Sequence, residues 1–144
     1  METSFVLNTL EDTEELAEKL AREIVGGQIL ALSGPVGAGK TTFAKLFAAA
    51  LGIEKPVLSP TYTLLQPYTL PKPMRGIKNF IHIDAYRLES PEELTAIGFA
   101  DFLNDPETVI LIEWAENTGN LLDGQSVIRM SLSIDGDLRI CNLN

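Results

Sequence analysis

The feature that most constrains this chain is the octapeptide Gly34-Pro35-Val36-Gly37-Ala38-Gly39-Lys40-Thr41, together with what flanks it. Before it, Gln28 to Ser33 carries Ile29-Leu30-Ala31-Leu32 without alternation, the pattern of a strand buried on both faces of a parallel sheet. After it, Thr41 to Leu51 places Phe43, Leu46, Phe47, Ala50 and Leu51 on one helical face, and Gly52 ends the run. Strand, glycine loop and helix in that order imply an α/β fold.

The glycine and Gly-Lys-Thr positions of the octapeptide are those of a phosphate-binding loop. Glycines let the backbone turn its N–H groups toward phosphate oxygens with no Cβ in the way, and the following helix presents its positive N-terminus to the same anion. Lys40 adds a point charge for the β- and γ-phosphates, and the Thr41 hydroxyl is an oxygen ligand for Mg²⁺. No Asn-Lys-x-Asp guanine signature occurs, so ATP is the expected nucleotide.

The remainder of the chain completes one domain spanning 1–144. Ser4 to Leu7 reads as a short strand, and Thr9 to Val25 as a helix with Leu16, Leu20 and Ile24 on one face, stopped by Gly26-Gly27. Ser59 to Tyr68 reads as strands around a loop. Leu70 to Asn79, with Pro71, Pro73, Gly76 and the cations Lys72, Arg75 and Lys78, reads as an exposed connection. Phe80 to Asp84 and Val109 to Glu113 are buried-type strands that each end in an acid. Between them, Ser90-Pro91-Glu92-Glu93 predicts the start of a short helix closed by Gly98. Val127 to Ser133 alternates and turns at Asp135-Gly136 into Leu138 to Leu143, an antiparallel hairpin. The expected architecture is a three-layer P-loop NTPase fold, its central sheet mostly parallel with that hairpin at the end.

A phosphate loop needs a carboxylate at a neighbouring strand end to hold magnesium or orient the attacking nucleophile. Glu113 and Asp84 are the two candidates; for either one the competing reading is a helix cap or a solvated loop acid. By spacing alone, Ser59-Pro60-Thr61-Tyr62-Thr63 reads first as a strand start. His82 between Ile81 and Ile83 reads as a satisfied strand residue, Trp114 as packing, and Arg87 either as a phosphate contact or as a partner of Glu89.

Composition narrows the partners. Eleven Lys and Arg against twenty Asp and Glu leave a net charge of −9, which disfavours long-range attraction of nucleic acid to the chain itself. Met1 is followed by polar residues, and no apolar run has the length of a membrane span, so a cytoplasmic protein without membrane contact is expected. The one cysteine, Cys141, has no internal partner for a disulfide and reads as a core or surface thiol.

With these residues in place the chain resembles the TsaE family, bacterial P-loop ATPases required to form threonylcarbamoyladenosine on tRNA. The resemblance rests on Gly34 to Thr42, then Ser59-Pro60-Thr61-Tyr62-Thr63, His82-x-Asp84-x-Tyr86-Arg87-Leu88, Pro91-Glu92-Glu93-Leu94 and Ile112-Glu113-Trp114. It implies ATP and Mg²⁺ as cofactors. Gly34, Pro35, Val36, Gly37, Ala38, Gly39, Lys40, Thr41 and Thr42 would cradle the nucleotide, and Thr41 and Glu113 would serve the metal. Lys40, Asp84 and Glu113 would be catalytic, with the division of roles between the two acids open. The Ser59 to Thr63 segment would sense the nucleotide state. The implied partners are the TsaD and TsaB subunits, which ATP hydrolysis would reset between turnovers, with tRNA held mainly by that assembly. The basic Pro71 to Asn79 connection is longer than the resemblance leads one to expect. The rival readings are a small-molecule kinase, which would need an arginine-bearing lid not visible in the chain, and an ATP sensor without turnover.

Overall fold

The computed structural model describes residues 3–54 and 64–144. β1 (Thr3–Leu7) leads into α1 (Leu10–Glu23), whose start is set by a capping box. Thr9 Oγ1 accepts from the Asp12 N–H, and Asp12 Oδ2 accepts from the Thr9 N–H, both at 3.1 Å. β2 (Ile29–Ser33) and α2 (Lys40–Ala50) flank the glycine loop as expected. They are followed by β3 (Leu65–Met74), β4 (Ile77–Asp84), α3 (Glu92–Ala96), β5 (Thr108–Glu113), β6 (Val127–Asp135) and β7 (Leu138–Leu143). Single 3₁₀ turns lie at Phe99–Phe102 and Ala115–Thr118.

The strands form one seven-stranded sheet in the order β1-β7-β6-β2-β5-β4-β3. β6/β2, β2/β5 and β5/β4 are parallel, whereas β1/β7, β7/β6 and β4/β3 are antiparallel. The sheet is therefore mixed, which corrects the expectation of a mostly parallel one. The reason is loop length. Parallel neighbours need a long crossover, and the chain supplies one around β2, β4, β5 and β6, but β3/β4 and β6/β7 are joined by two-residue turns that force the strands to run back.

Side-chain alternation sends the two faces of the central strands into two separate cores. Leu30, Leu32, Phe80, Val109 and Leu111 pack with Leu16, Leu20, Phe43 and Phe47 beneath α1 and α2. Ile29, Ala31, Ile81, Ile83, Ile110 and Ile112 pack with Leu94, Phe99 and Leu122 on the other side. The result is helix, sheet and helix in three layers. Cys141 belongs to the first core, where burial pushes its thiol up to about 12, so it is an inert packing residue. Among the described residues no helix is long and apolar enough to cross a membrane.

Register brings the carboxyl ends of three strands together: Leu32 is opposite Glu113, and Glu113 is opposite Asp84. Ligands of open α/β sheets bind at such an edge, because the loops leaving adjacent parallel strands open a crevice there.

The segment Leu70 to Asn79, expected as an exposed connection, is instead the closed end of the β3/β4 hairpin. Arg75 (φ +48°) and Gly76 (φ +82°) are the two turn residues between the paired Met74 and Ile77. Positive φ at both positions is the turn that matches strand twist. Pro71 and Pro73 are tolerated because β3 is an edge strand and its register shifts between Thr69 and Met74. Two of the three cations have structural partners. Arg75 Nη2 donates to the carbonyls of Ala21 (2.7 Å) and Ile24 (2.5 Å) at the end of α1, where helix carbonyls lack partners of their own. Lys78 pairs with Glu107 in the open, a contact of little energetic consequence. Arg75→Ala is expected to lower unfolding stability by about 1 kcal/mol. Lys78→Ala should stay within about 0.5 kcal/mol. Urea denaturation of both variants checks the contrast, and equal effects would remove the capping role from Arg75.

Candidate active site

The glycine loop hangs from the end of β2 and takes its shape from three left-handed residues, Gly34 (φ +139°), Gly37 (φ +82°) and Gly39 (φ +105°). Gly34 is also constrained by space. A Cβ there would lie 2.3 Å from the Leu132 carbonyl oxygen of β6, so any side chain would push the loop off the sheet. Around Gly37 and Gly39 nothing lies within 4 Å of an added Cβ, which leaves their backbone accessible to a ligand.

Lys40 opens α2 with only 5% of its surface exposed. Its Nζ turns back onto the loop, donating to the carbonyls of Gly34 and Pro35, the latter at 2.8 Å, and lies 4.0 Å from the centre of the Trp114 ring. Burial lowers its pKa, while the charges of Glu116, Glu113 and Asp84 oppose that shift. The ammonium is thus held by neutral oxygens and an aromatic face in the place where it would meet phosphate.

Thr41, one residue on, donates its hydroxyl to Glu113 Oε1 at 2.7 Å. Glu113 ends β5 at 1% exposure, and its second oxygen, Oε2, lies 2.6 Å from His82 Nε2. A buried carboxylate is tolerable only when its oxygens are hydrogen-bonded, and both oxygens of Glu113 are. Asp84 ends β4 on the same face of the sheet, and its Oδ1 accepts the Tyr86 N–H at 3.0 Å. Desolvation raises the Asp84 pKa; the Tyr86 N–H opposes the rise, and the Glu113 charge adds to it. Hydroxyl and carboxylate oxygens are the donors that Mg²⁺ takes, so Thr41, Glu113 and Asp84 fit that ion by chemistry.

Lys40, Thr41, Thr42, Asp84 and Glu113 line a single cleft of about 390 Å³, together with Val36, Gly37, Gly39, Tyr86 and Trp114. Gly34 and Pro35 contribute carbonyls to Lys40, while Ala38 is buried in the core beneath the loop. Arg87 is exposed and does not line the cleft. Ser59 to Thr63 lies outside the described residues. Sequence reasoning gave too little to three residues. His82 and Trp114, read as strand filling and packing, touch Glu113 and Lys40, and Glu116 accepts the Gly34 N–H at 3.4 Å. For His82 the available signal was its spacing: two residues before Asp84, it shares that acid's face of β4. Trp114 adopts φ +59°, a costly conformation for a bulky residue, directly after the buried acid.

Residues 7–139 match the model of the family described as Threonylcarbamoyl adenosine biosynthesis protein TsaE. The chain belongs to the TsaE family. Relatives named tRNA threonylcarbamoyladenosine biosynthesis protein TsaE include one from Rickettsia prowazekii, 36% identical over 140 residues, covering 96% of this chain and 92% of the relative. One from Mycobacterium leprae is 34% identical over 140 residues, covering 94% and 86%. Among solved structures, the Bacillus protein YdiB superposes with a TM-score of 0.74 at 27% identity, over 99% of this chain and 84% of its own. That likeness extends over nearly the whole of the fold described above.

The raised pKa of Asp84 makes its ionised form a cost to the fold. That cost is absent below the ordinary value of 3.8, grows as the pH rises through the interval up to the raised pKa, and is constant above it. Asp84→Asn should therefore melt higher than the parent chain at pH 7 without added metal, and the two melting curves should converge as the pH falls toward the ordinary carboxylate range. A lower melting temperature for the variant at pH 7 would refute this.

Proposed function

We propose that the cleft binds ATP with Mg²⁺ and hydrolyses it, and that this activity serves the formation of threonylcarbamoyladenosine on tRNA. The observation that carries the reading is the Thr41–Glu113 hydrogen bond at the mouth of the glycine loop, with Asp84 beside it: a hydroxyl and two carboxylates set where the terminal phosphates of a loop-bound nucleotide would end. Family membership supplies the biological setting, as the curated relatives are named for that tRNA modification.

On this reading Lys40 leaves the carbonyls of Gly34 and Pro35 and neutralises the β- and γ-phosphates, while the backbone from Val36 to Gly39 and the N-terminus of α2 cradle them. Thr41 and Glu113 would hold Mg²⁺, which would neutralise charge on the phosphates. Asp84, kept in a desolvated position, would orient the attacking water. The adenosine end would lie in a second cleft of about 390 Å³ across the loop, where Asn8, Thr9, Thr13 and Arg139 supply polar groups and Leu10 and Phe43 an apolar wall. Thr42 lines both clefts and so stands where the two ends of the nucleotide meet.

The TsaD and TsaB subunits are the proposed partners, and hydrolysis would reset their assembly between turnovers. The net charge of −9 fits an arrangement in which the assembly carries most of the tRNA contact. ATP hydrolysis measured with and without purified TsaD and TsaB tests the proposal. Stimulation by the subunits is expected. Lys40→Ala should abolish turnover, and Glu113→Ala should lower it about 100-fold while sparing nucleotide affinity in EDTA. Unchanged turnover in both variants would place the reaction elsewhere, and absence of both stimulation and association would remove the partners.

A further inference from the structure

We propose that His82 is the positioning residue of the magnesium site: its imidazole fixes the Glu113 carboxylate in the orientation that meets Thr41. The inference rests on the reading of Glu113 as a magnesium-holding acid and deepens it. His82 has no exposed surface and does not line the cleft, so it cannot touch a nucleotide. It acts through Glu113.

The geometry specifies how. Carboxylate oxygens only accept, so at 2.6 Å the hydrogen between Glu113 Oε2 and His82 Nε2 belongs to the imidazole. His82 Nδ1 is buried with no partner among the described residues. The ring therefore carries hydrogen on Nε2 and donates it to Glu113. It cannot swing away, because it lies nearly parallel to Phe80 (8° between ring planes, centroids 6.4 Å apart) inside the core below α2. With Oε2 pinned by β4, the carboxylate has one free direction for Oε1, and that direction is occupied by the Thr41 hydroxyl on the first turn of α2. Two metal ligands from distant parts of the chain are thus held as a pair before any metal arrives. Outer-shell donors of this kind change metal affinity by about 10- to 100-fold when removed.

The test uses the full chain, Mn²⁺ as the metal and a fluorescent ATP analogue. The quantity measured is the factor by which Mn²⁺ tightens nucleotide binding relative to EDTA. His82→Phe, which keeps a ring but has no donor, should reduce that factor about tenfold with affinity in EDTA nearly unchanged. His82→Gln, which restores an N–H donor, should recover most of it. The double variant His82→Phe/Glu113→Ala should be no worse than Glu113→Ala alone, because His82 acts only through that carboxylate. A wild-type factor in His82→Phe, or additive losses in the double variant, would overturn the proposal while leaving Glu113 as a metal ligand. If Glu113→Ala itself kept the full factor, the magnesium reading of that acid would fall first and this inference with it. Should His82→Phe not fold, the parent chain still decides. It has a single histidine, so one imidazole appears in side-chain ¹H–¹⁵N spectra. Hydrogen on Nε2, slow to exchange, is the expected result, and an Nδ1-protonated neutral ring would overturn the assignment.

Discussion

The Glu113 carboxylate, buried at the end of β5, ties three elements to one another: β5 by its own backbone, β4 through His82 and α2 through Thr41. An ionised group in that position is costly unless both oxygens are satisfied, so the three elements are held in one arrangement by the same requirement. The glycine loop lies between β2 and α2 and inherits that arrangement. Its own tight point is Gly34 against the Leu132 carbonyl, which sets how far the loop can lift from the sheet. Position and chemistry of the cleft are therefore consequences of one polar contact set inside an apolar core.

Much of this was legible in the chain. Ile29 to Leu32 and Val109 to Ile112 have no polar alternation, and strands of that kind occupy the middle of a sheet covered on both sides, as they do here. The glycine loop, Thr41 and the two strand-end acids stood out by their spacing, and the fold brings them to one cleft. The Gly136 turn and its flanking alternation likewise specified the last hairpin.

What was not legible depended on contacts distant in sequence. Residues 70–79 carry the prolines, glycine and cations of a loop, yet Leu70 and Ile77 are buried and the turn closes a ribbon. Arg75 resembles any surface cation until the end of α1 is placed beside it. The mixed character of the sheet follows in part from β1 pairing with β7 at the far end of the chain, and in part from the β3/β4 turn, whose residues read as an open loop. His82 between two isoleucines has the periodicity of a core residue and is one; its partner, 31 residues away, gives it a role.

On the proposed reading the electrostatics of the cleft also bear on the form in which a nucleotide would enter. Glu113, Glu116 and Asp84 all act on Lys40, so one ammonium faces three carboxylates, and that ammonium is already engaged with loop carbonyls and the Trp114 face. A bare triphosphate would bring several further negative charges into a partly desolvated space with a net negative lining, where repulsion is stronger than in water. On the proposed reading a divalent cation held by Thr41 and Glu113 would reverse that balance. On the proposed reading the metal is accordingly a condition for bringing the terminal phosphates down to Asp84 as well as a participant in the reaction. The loop glycines and the α2 N-terminus, which attract phosphate without reference to metal, would then account for the part of the affinity that survives in EDTA.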